Sequence, residues 1–244
     1  MIDLHNHLLP GIDDGAPDME TALALARIAV DDGITHMVCT PHIHPGRYAN
    51  TPATIDEGLA QFRQALDAAG IPLQVGAASE VRIGPELLTP KLADYVPFLG
   101  DWEGRPVLLL ELPHEAVPVG SDKLTRHLLD RGFQPIIAHP ERNKGVMAQP
   151  ARLRPFLQQG CLLQVTAGSL TGRFGARAQA LAEELLAAGQ VTILATDAHN
   201  IRHRPPLLRE GFEAAAAIVG EAAARPLVLR NPMRLAARHF GVKL

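Results

Sequence analysis

The sequence predicts an α/β fold built on a parallel sheet, and three observations carry that prediction. Short apolar runs alternate with longer amphipathic stretches, strand then helix, seven times over. The length of 244 residues is close to the roughly 250 of a single α/β barrel. His5-Asn6-His7 ends the apolar stub that opens the chain, and Asp197-Ala198-His199 ends the last apolar run. Residues i and i+2 of an extended segment point to the same side, so each pair can aim at one metal centre. Two such ends, far apart in the chain, suggest a barrel that closes on itself. The alternation alone is equally compatible with a doubly wound open sheet.

The expected strands cover 2–5, 35–40, 73–78, 106–111, 134–139, 161–166 and 191–196. Each is short, apolar or β-branched, and bounded by turn residues. Between them lie the helical patterns. Residues 18–32 begin with Asp18 as N-cap and stop before Gly33, and residues 52–69 stop before Gly70. Weaker patterns cover 86–95 and 122–131. Residues 151–159 and 176–188 are closed by Gly160 and Gly189, and 206–219 and 231–240 complete the set. The 20 prolines fall mainly in loops and at strand starts, where a missing N–H costs little. With no linker, low-complexity segment or short repeat, residues 1–244 are expected to form one domain.

Hydrophobic content of 47% and charged content of 20% are ordinary for a soluble globular chain. A net charge of −3 lacks the basic footprint of a nucleic-acid binder, so no nucleic-acid partner is expected. His5 falls where a signal peptide needs its basic and apolar regions. No apolar run approaches the roughly 18 residues of a membrane span, so no membrane insertion is expected. A cytoplasmic location is the expected default. Cys39 and Cys161 lie in apolar strand-like runs and read as buried free thiols. Neither fits a cysteine phosphatase, whose thiolate is followed six residues later by arginine; here those positions are Pro45 and Ala167. A Gly-rich phosphate loop and a Gly-x-Ser-x-Gly elbow are also absent from the sequence.

The residues at the strand ends are chemically alike. Strand one is followed by His5, His7 and Asp13-Asp14-Gly15, and strand two by His42. Strand three runs into Glu80, strand four ends at Glu111 and strand five at His139. Strand six supplies only Thr166, and strand seven gives Asp197 and His199. In a parallel barrel all these ends share one rim. Taken singly, a histidine there is more often a satisfied polar residue than a ligand, and Glu80 would be a solvated loop carboxylate. Glu111 is harder to dismiss, because it ends the apolar run 107–110 and a carboxylate so placed needs a partner. Coincidence at six of seven strand ends is not credible. Five histidines and four carboxylates, counting Asp14, exceed one tetrahedral ion and suit two or three divalent ions with bridging carboxylates.

In this order the residues resemble the polymerase-and-histidinol-phosphatase (PHP) superfamily. More narrowly, the segments 9–15 (LPGIDDG), 138–142 (AHPER) and 197–200 (DAHN), with Arg204-Pro205-Pro206, are similar to its bacterial capsule and exopolysaccharide protein-tyrosine phosphatases. The resemblance covers essentially the whole chain, including Asn231-Pro232. It implies a distorted seven-stranded (β/α)7 TIM-like barrel with its metal site at the C-terminal rim. One metal would be held by His5, His7, Glu80 and Asp197, and a second by Glu80, Glu111 and His139. The third would use Asp14, His42 and His199, with Asp13 as the rival of Asp14. The ions would be Mn2+, with Fe or Zn as alternatives. Two arginines at the phosphate would be Arg142 and Arg204, with Arg202 the rival of the latter. His44 and His114 are extra imidazoles near the site, whereas His36, His127, His203 and His239 look structural or exposed.

The activity so implied is hydrolysis of phosphotyrosine on a protein, the tail of a bacterial polysaccharide-assembly tyrosine kinase, by metal-activated hydroxide. Arg142 and Arg204 would clamp the phosphoryl oxygens. A phenolate leaving group, with a conjugate-acid pKa near about 10, makes a dedicated strong acid optional. Three rivals stand beside this reading. Another PHP phosphoesterase, such as a histidinol-phosphate phosphatase, would share the site. A metal-dependent amidohydrolase would place a lysine at the end of strand four, where this chain has Glu111. A non-catalytic metal-binding partner of the kinase would be expected to have lost ligands.

Overall fold

The computed structural model describes residues 1–242. The strands are β1 (Ile2–Asp3), β2 (His36–Cys39), β3 (His42–His44), β4 (Tyr48–Ala49), β5 (Gln74–Ala77), β6 (Glu80–Arg82), β7 (Gly100–Trp102), β8 (Arg105–Glu111), β9 (Gln134–Ala138), β10 (Leu162–Thr166) and β11 (Ile193–Ala195). All seven expected runs contain a strand. β3, β4, β6 and β7 are additional, and are too short to display an alternating pattern.

Two sheets result, both mainly parallel. In one, β1 pairs with β2 and β2 with β5. In the other the order is β11-β10-β9-β8-β6-β3-β4, with β7 antiparallel to β8 and β4 antiparallel to β3. The backbone also connects the two sheets. β5 and β6 are consecutive along the chain; just past β5 Ala78 N–H donates to Cys39 O, and at the start of β6 Glu80 N–H donates to Pro41 O. Past β11, Asp197 N–H donates to His5 O at 2.7 Å and His7 N–H to Ala198 O at 2.8 Å. A parallel bridge joins Asn6 to Ala198 there.

The helices follow local signals where those are strong. Asp18 caps Met19–Asp31 by accepting from Thr21 N–H. Thr51 and Thr54 form a reciprocal capping box at the start of Pro52–Ala68, with Pro52 in the first turn. Ser121–Asp130, Ala176–Ala187 and Arg209–Val219 match the expected stretches to within a few residues. Prolines split others. The expected helix over 86–95 is a 3-10 turn, Pro85–Leu88, and a short helix, Leu92–Tyr95, on either side of Pro90. The one over 151–159 is a 3-10 turn, Pro150–Leu153, joined to Arg154–Gln158. The last, over 231–240, divides with no proline at the join: Arg230–Ala236 is followed by a 3-10 turn, Ala237–Phe240. Helices Lys144–Ala148, Ala167–Leu170 and Glu221–Val228 were not anticipated.

Alternation along the strands divides the core. Val107 and Leu109 of β8 pack with Ile2, Leu4, Val38, Ile136 and Ile193 in a small inner cluster. Leu108 and Leu110 face the larger cluster beneath the helices, with Leu25, Phe62 and Phe156. The inner cluster is stoppered at one end by Leu235 and Ala236. There the backbone approaches so closely that a Cβ on Gly100 would lie 1.8 Å from Leu235 O. Glu111 continues the inner face two residues beyond Leu109, so the same alternation that fills the core carries a carboxylate to its other end.

Candidate metal centre and active site

The end of the sheets opposite Leu235 gathers all nine ligand-type residues picked out from the strand ends. His5 Nε2 lies 3.2 Å from Glu80 Oε2 and 3.4 Å from Asp197 Oδ1. His7 Nε2 is 3.4 Å from each of the same two oxygens. His139 Nε2 is 2.9 Å from Glu80 Oε1, and His42 Nδ1 is 3.1 Å from Glu80 Oε2. Asp14 Oδ1 reaches His42 Nε2 at 3.4 Å and His199 Nε2 at 3.7 Å. Four groups of donor atoms fall within 4.8 Å of one another. They are His7/Asp14/His42/His199, His5/His7/Glu80, His5/His139/Asp197 and His42/Glu80/Glu111. His42 therefore neighbours Glu80 and Glu111 as well as Asp14 and His199, which is more sharing than the implied ligand sets contain.

These donors fit divalent cations. His5 Nε2, His7 Nε2, His42 Nδ1, Glu80 Oε2, Glu111 Oε2 and Asp197 Oδ1 are buried and have no hydrogen-bond partner among the described residues. An unpaired buried polar atom costs about 1–3 kcal/mol. A chain that points several of them at each other has built a donor set. Imidazole nitrogen with carboxylate oxygen suits borderline ions such as Mn, Fe or Zn.

The ligands are aimed by neighbours; two of these, Gln164 and Asp3, escaped the sequence reading, and a third, Asp13, enters it only as the rival of Asp14. Gln164 of β10 places Oε1 2.8 Å from His5 Nδ1, which turns His5 Nε2 inward, and accepts from His139 N–H at 3.1 Å. The expectation that strand six supplies only Thr166 is thus corrected. The signal was a glutamine inside the apolar run 161–166. Asp13 Oδ2 sits 2.7 Å from His7 Nδ1 and accepts from His42 N–H, while Oδ1 accepts from Gly15 N–H. Asp13 therefore orients His7, and Asp14 faces the cluster. A Cβ on Gly15 would fall 1.9 Å from His7 O, so only glycine lets this turn close on the first strand. Asp3 accepts from Thr196 N–H and Oγ1–H and ties the first strand end to the last. His139 (φ 31°) and Asp197 (φ 51°) adopt left-handed backbone, a cost of order 1–3 kcal/mol that recurs at functional sites.

The electrostatics divide the groups. Burial would raise the Glu80 carboxyl, but the imidazoles of His5 and His42 and the hydrogen bond from His139 outweigh it and hold it well below the usual range. Burial likewise opposes ionisation of Asp197, and Arg204, His5 and Arg142 overcome it. Burial and the charge of Glu80 push Glu111 up to about 7. Burial and Arg142 hold His139 down at about 4, and burial and His7 hold His199 at about 3, so both imidazoles are neutral, as ligands must be.

Both phosphate-binding candidates reach the cluster. The guanidinium groups of Arg142 and Arg204 each donate to Asp197 Oδ2. Arg142 also lies 4.2 Å from the centre of the Phe174 ring. Arg204 returns to the site because Asn200 Oδ1 accepts from the backbone N–H groups of His203 and Arg204 and folds the intervening loop. Arg202 is exposed on that loop. A cavity of about 160 Å3 lies over the cluster, with both arginines, His44 and His114 in its wall. Arg47, Tyr48 and Arg82 line it too, and no motif in the sequence singled them out. Arg82 Nη1 lies 3.4 Å from Glu111 and donates to Leu112 O at 3.0 Å. Cys39 and Cys161 are buried and free.

Residues 1–237 match the family model described as capsular polysaccharide synthesis, CpsB/CapC. The chain belongs to the CpsB/CapC family. Among curated relatives, the tyrosine-protein phosphatase YwqE of Bacillus subtilis is 37% identical over 204 residues, 84% of this chain and 79% of its own. The tyrosine-protein phosphatase CpsB of Streptococcus pneumoniae is 25% identical over 240 residues, 96% of this chain and 98% of its own. A crystal structure from work on these two, described as unique metal-dependent tyrosine phosphatases, superposes with a TM-score of 0.89. It is 33% identical and covers 97% of this chain and 94% of that one. An organophosphorus hydrolase from Deinococcus radiodurans shares the fold alone, at 16% identity and a TM-score of 0.55 over 96% of this chain and 92% of its own. The CpsB/CapC fold is therefore the mixed α/β architecture expected. Among the described residues no helix is long and apolar enough to cross a membrane.

Proposed function

We propose that this CpsB/CapC protein is a metal-dependent protein-tyrosine phosphatase that acts on the phosphotyrosine of a bacterial polysaccharide-assembly kinase. The observation that carries the reading is the set of buried, mutually facing donor atoms beside two arginines. The backbone contacts linking β5 to β6 and β11 to the first strand support reading the two sheets as one closed, distorted seven-stranded barrel. The chain is then one domain with its site at the C-terminal rim.

His5, His7, Asp14, His42, Glu80, Glu111, His139, Asp197 and His199 would hold two or three ions, with Mn2+ the first choice. Bound there, divalent ions would neutralise phosphoryl charge and lower the pKa of water to supply a nucleophile near neutral pH. The chain's own contribution is binding and orientation. Arg142 and Arg204 converge on one oxygen of Asp197, and so present their remaining N–H groups to the same region of the cavity. A phosphate dianion there meets two planar forks rather than two flexible ammonium groups, which fixes its orientation. Phe174 holds the Arg142 plane from behind. The phenolate leaving group needs little protonation, so a dedicated strong acid is optional in this reading. This reading involves no membrane insertion of the chain and no nucleic-acid contact, and we assign the reaction to the cytoplasm.

The test is a metal-resolved assay. Protein loaded separately with Mn2+, Fe2+ and Zn2+ is compared on a phosphotyrosyl peptide and on histidinol phosphate. We expect the peptide to be preferred in kcat/KM. A preference for histidinol phosphate overturns the substrate assignment, and loss of no metal from Glu80→Ala overturns the ligand assignment.

A further inference from the structure

The cavity wall contains a feature that phosphate hydrolysis alone does not need. Apart from metal-type and charged groups, the side chains lining it are Tyr48, Asn143, Leu112 and Ala138, and the last two are buried. Tyr48 is the one large ring, apart from the histidines, that reaches the cavity among the described residues. It stands on the edge hairpin of β3 and β4, directly across from His44. Its ring lies parallel to His42, with centroids 5.4 Å apart and planes 8° apart. Arg47 rests against the ring, its guanidinium carbon 5.0 Å from the centroid. The hairpin is pinned: Arg47 N–H donates to His44 O at 2.9 Å, and the Asn50 amide donates to His42 O and Ile12 O at 2.9 and 3.0 Å.

Resting on the proposed phosphotyrosine activity, we infer that Tyr48, with Arg47, forms the subsite for the aryl group of the substrate and sets the preference for aryl over alkyl phosphates. In an aryl phosphate the ring begins one ester bond from the phosphate. A phosphate at the cluster therefore has to put its ring in the layer next to the metal-type residues, and Tyr48 stacks on one of them. Leu112 and Ala138 also line the cavity but are buried, and the rest of the wall is imidazole, amide or charge, so Tyr48 offers an aryl ring the largest aromatic surface there. The interaction required is the offset or edge-on packing that aromatic pairs favour. Arg47, exposed and resting on the ring, is placed to close over a second aromatic face. A seryl or threonyl phosphate presents no ring and gains nothing from the wall.

The experiment compares Mn2+-loaded wild type, Tyr48→Leu and Tyr48→Phe on phosphotyrosyl and phosphoseryl peptides of one sequence, with metal content measured for each. It adds binding of a peptide carrying non-hydrolysable phosphonomethylphenylalanine, read by fluorescence anisotropy. Tyr48→Leu should cut the aryl-to-alkyl ratio of kcat/KM by about two- to tenfold, mostly through KM, and weaken the phosphonate peptide by the same factor. Tyr48→Phe should keep the wild-type ratio. An unchanged ratio in Tyr48→Leu overturns the inference, as does a loss in Tyr48→Phe as large as in Tyr48→Leu. A Tyr48→Leu protein that loses metal also counts against it, since the ring would then be serving His42. If wild type hydrolyses neither peptide, it is the proposed activity that has failed, and that outcome is visible before any variant is made.

Discussion

Asp13→Asn is the sharpest test of how the site is held, because it changes one oxygen in a side chain that does not face the cluster. Asp13 Oδ2 has two neighbours to satisfy, His7 Nδ1–H at 2.7 Å and His42 N–H at 3.1 Å, while Oδ1 accepts from Gly15 N–H at 2.9 Å. An amide of the same shape has a single acceptor. With its oxygen towards His7, the amide NH2 faces the Gly15 N–H and the turn loses a bond. With its NH2 towards His7, the amide donates to Nδ1 and drives the ring proton onto Nε2, the atom that faces Glu80 and Asp197. Either way a buried, charge-assisted hydrogen bond worth about 1.5–3 kcal/mol is lost. That corresponds to about a 10- to 100-fold loss of metal affinity, in line with the usual effect of removing the partner behind a ligating imidazole. Calorimetric titration of apo-protein with Mn2+ measures it directly, and circular dichroism checks that the fold is retained. Turnover of the phosphotyrosyl peptide should recover substantially at saturating Mn2+, because no ligand has been removed. Mn2+ affinity within about twofold of wild type in a folded variant would refute the argument that Asp13 sets the His7 tautomer.

Other consequences are simpler. Phe174→Ala removes the surface beneath Arg142, an interaction worth about 0.5–2 kcal/mol, so KM for the phosphotyrosyl peptide should rise about fivefold with metal content unchanged. Unaltered kinetics would show that Asp197 and Thr166 suffice to fix that guanidinium. Burial pushes the Cys161 thiol up to about 11 and the Cys39 thiol higher still, so both are neutral near pH 7. Iodoacetamide should therefore leave activity intact at neutral pH and label Cys161 faster as pH rises towards 11; inactivation at neutral pH would contradict a mechanism without a thiolate. Gly211→Ala would set a Cβ 2.5 Å from the Ala167 Cβ, forcing Arg209–Val219 away from Ala167–Leu170. Overpacking of this kind costs about 1–3 kcal/mol. At about 2–4 °C per kcal/mol for a chain of this size, calorimetry should show Tm falling by about 2–12 °C, and an unmoved Tm would mean the helices can separate at no cost.

What could be read from the sequence was whatever obeys a short-range rule. A strand of five apolar residues has a period, a helix has caps, and a ligand-type residue at the end of such a strand is visible as a break in composition. That is why the seven central strands, the helices Met19–Asp31 and Pro52–Ala68, and the nine clustered residues could be located from the chain alone. It is also why the resemblance to PHP-type capsule protein-tyrosine phosphatases could be drawn from short segments, and the CpsB/CapC family match agrees with it. β3, β4, β6 and β7 escaped because strands of two or three residues carry no period; β1 and β11 are as short but sit in the longer apolar runs 2–5 and 191–196, and the helices over 86–95 and 151–159 broke because Pro90 and Pro155 each disrupt one backbone ladder.

The misses at the site have a common cause: they are relations between residues distant in sequence. Gln164 is 159 positions from His5, and its role exists only once β10 and the first strand have been brought together. Tyr48 reaches the cavity through a hairpin that the sequence marks only as a Pro-Gly turn. Asp197 shows the same limit in the opposite direction. As a residue it is plain in the sequence, yet its two oxygens do different things: Oδ1 faces His5, His7 and His199, while Oδ2 accepts from Arg142 and Arg204. Burial opposes its charge, and Arg204, His5 and Arg142 together overcome that; of these the two guanidinium groups are the ones whose charge is permanent. The metal donors and the phosphate clamp are in this sense one electrostatic unit. The arginines that would bind substrate also keep Asp197 ionised for the cations, and a substitution at either one should be judged by metal content as well as by turnover.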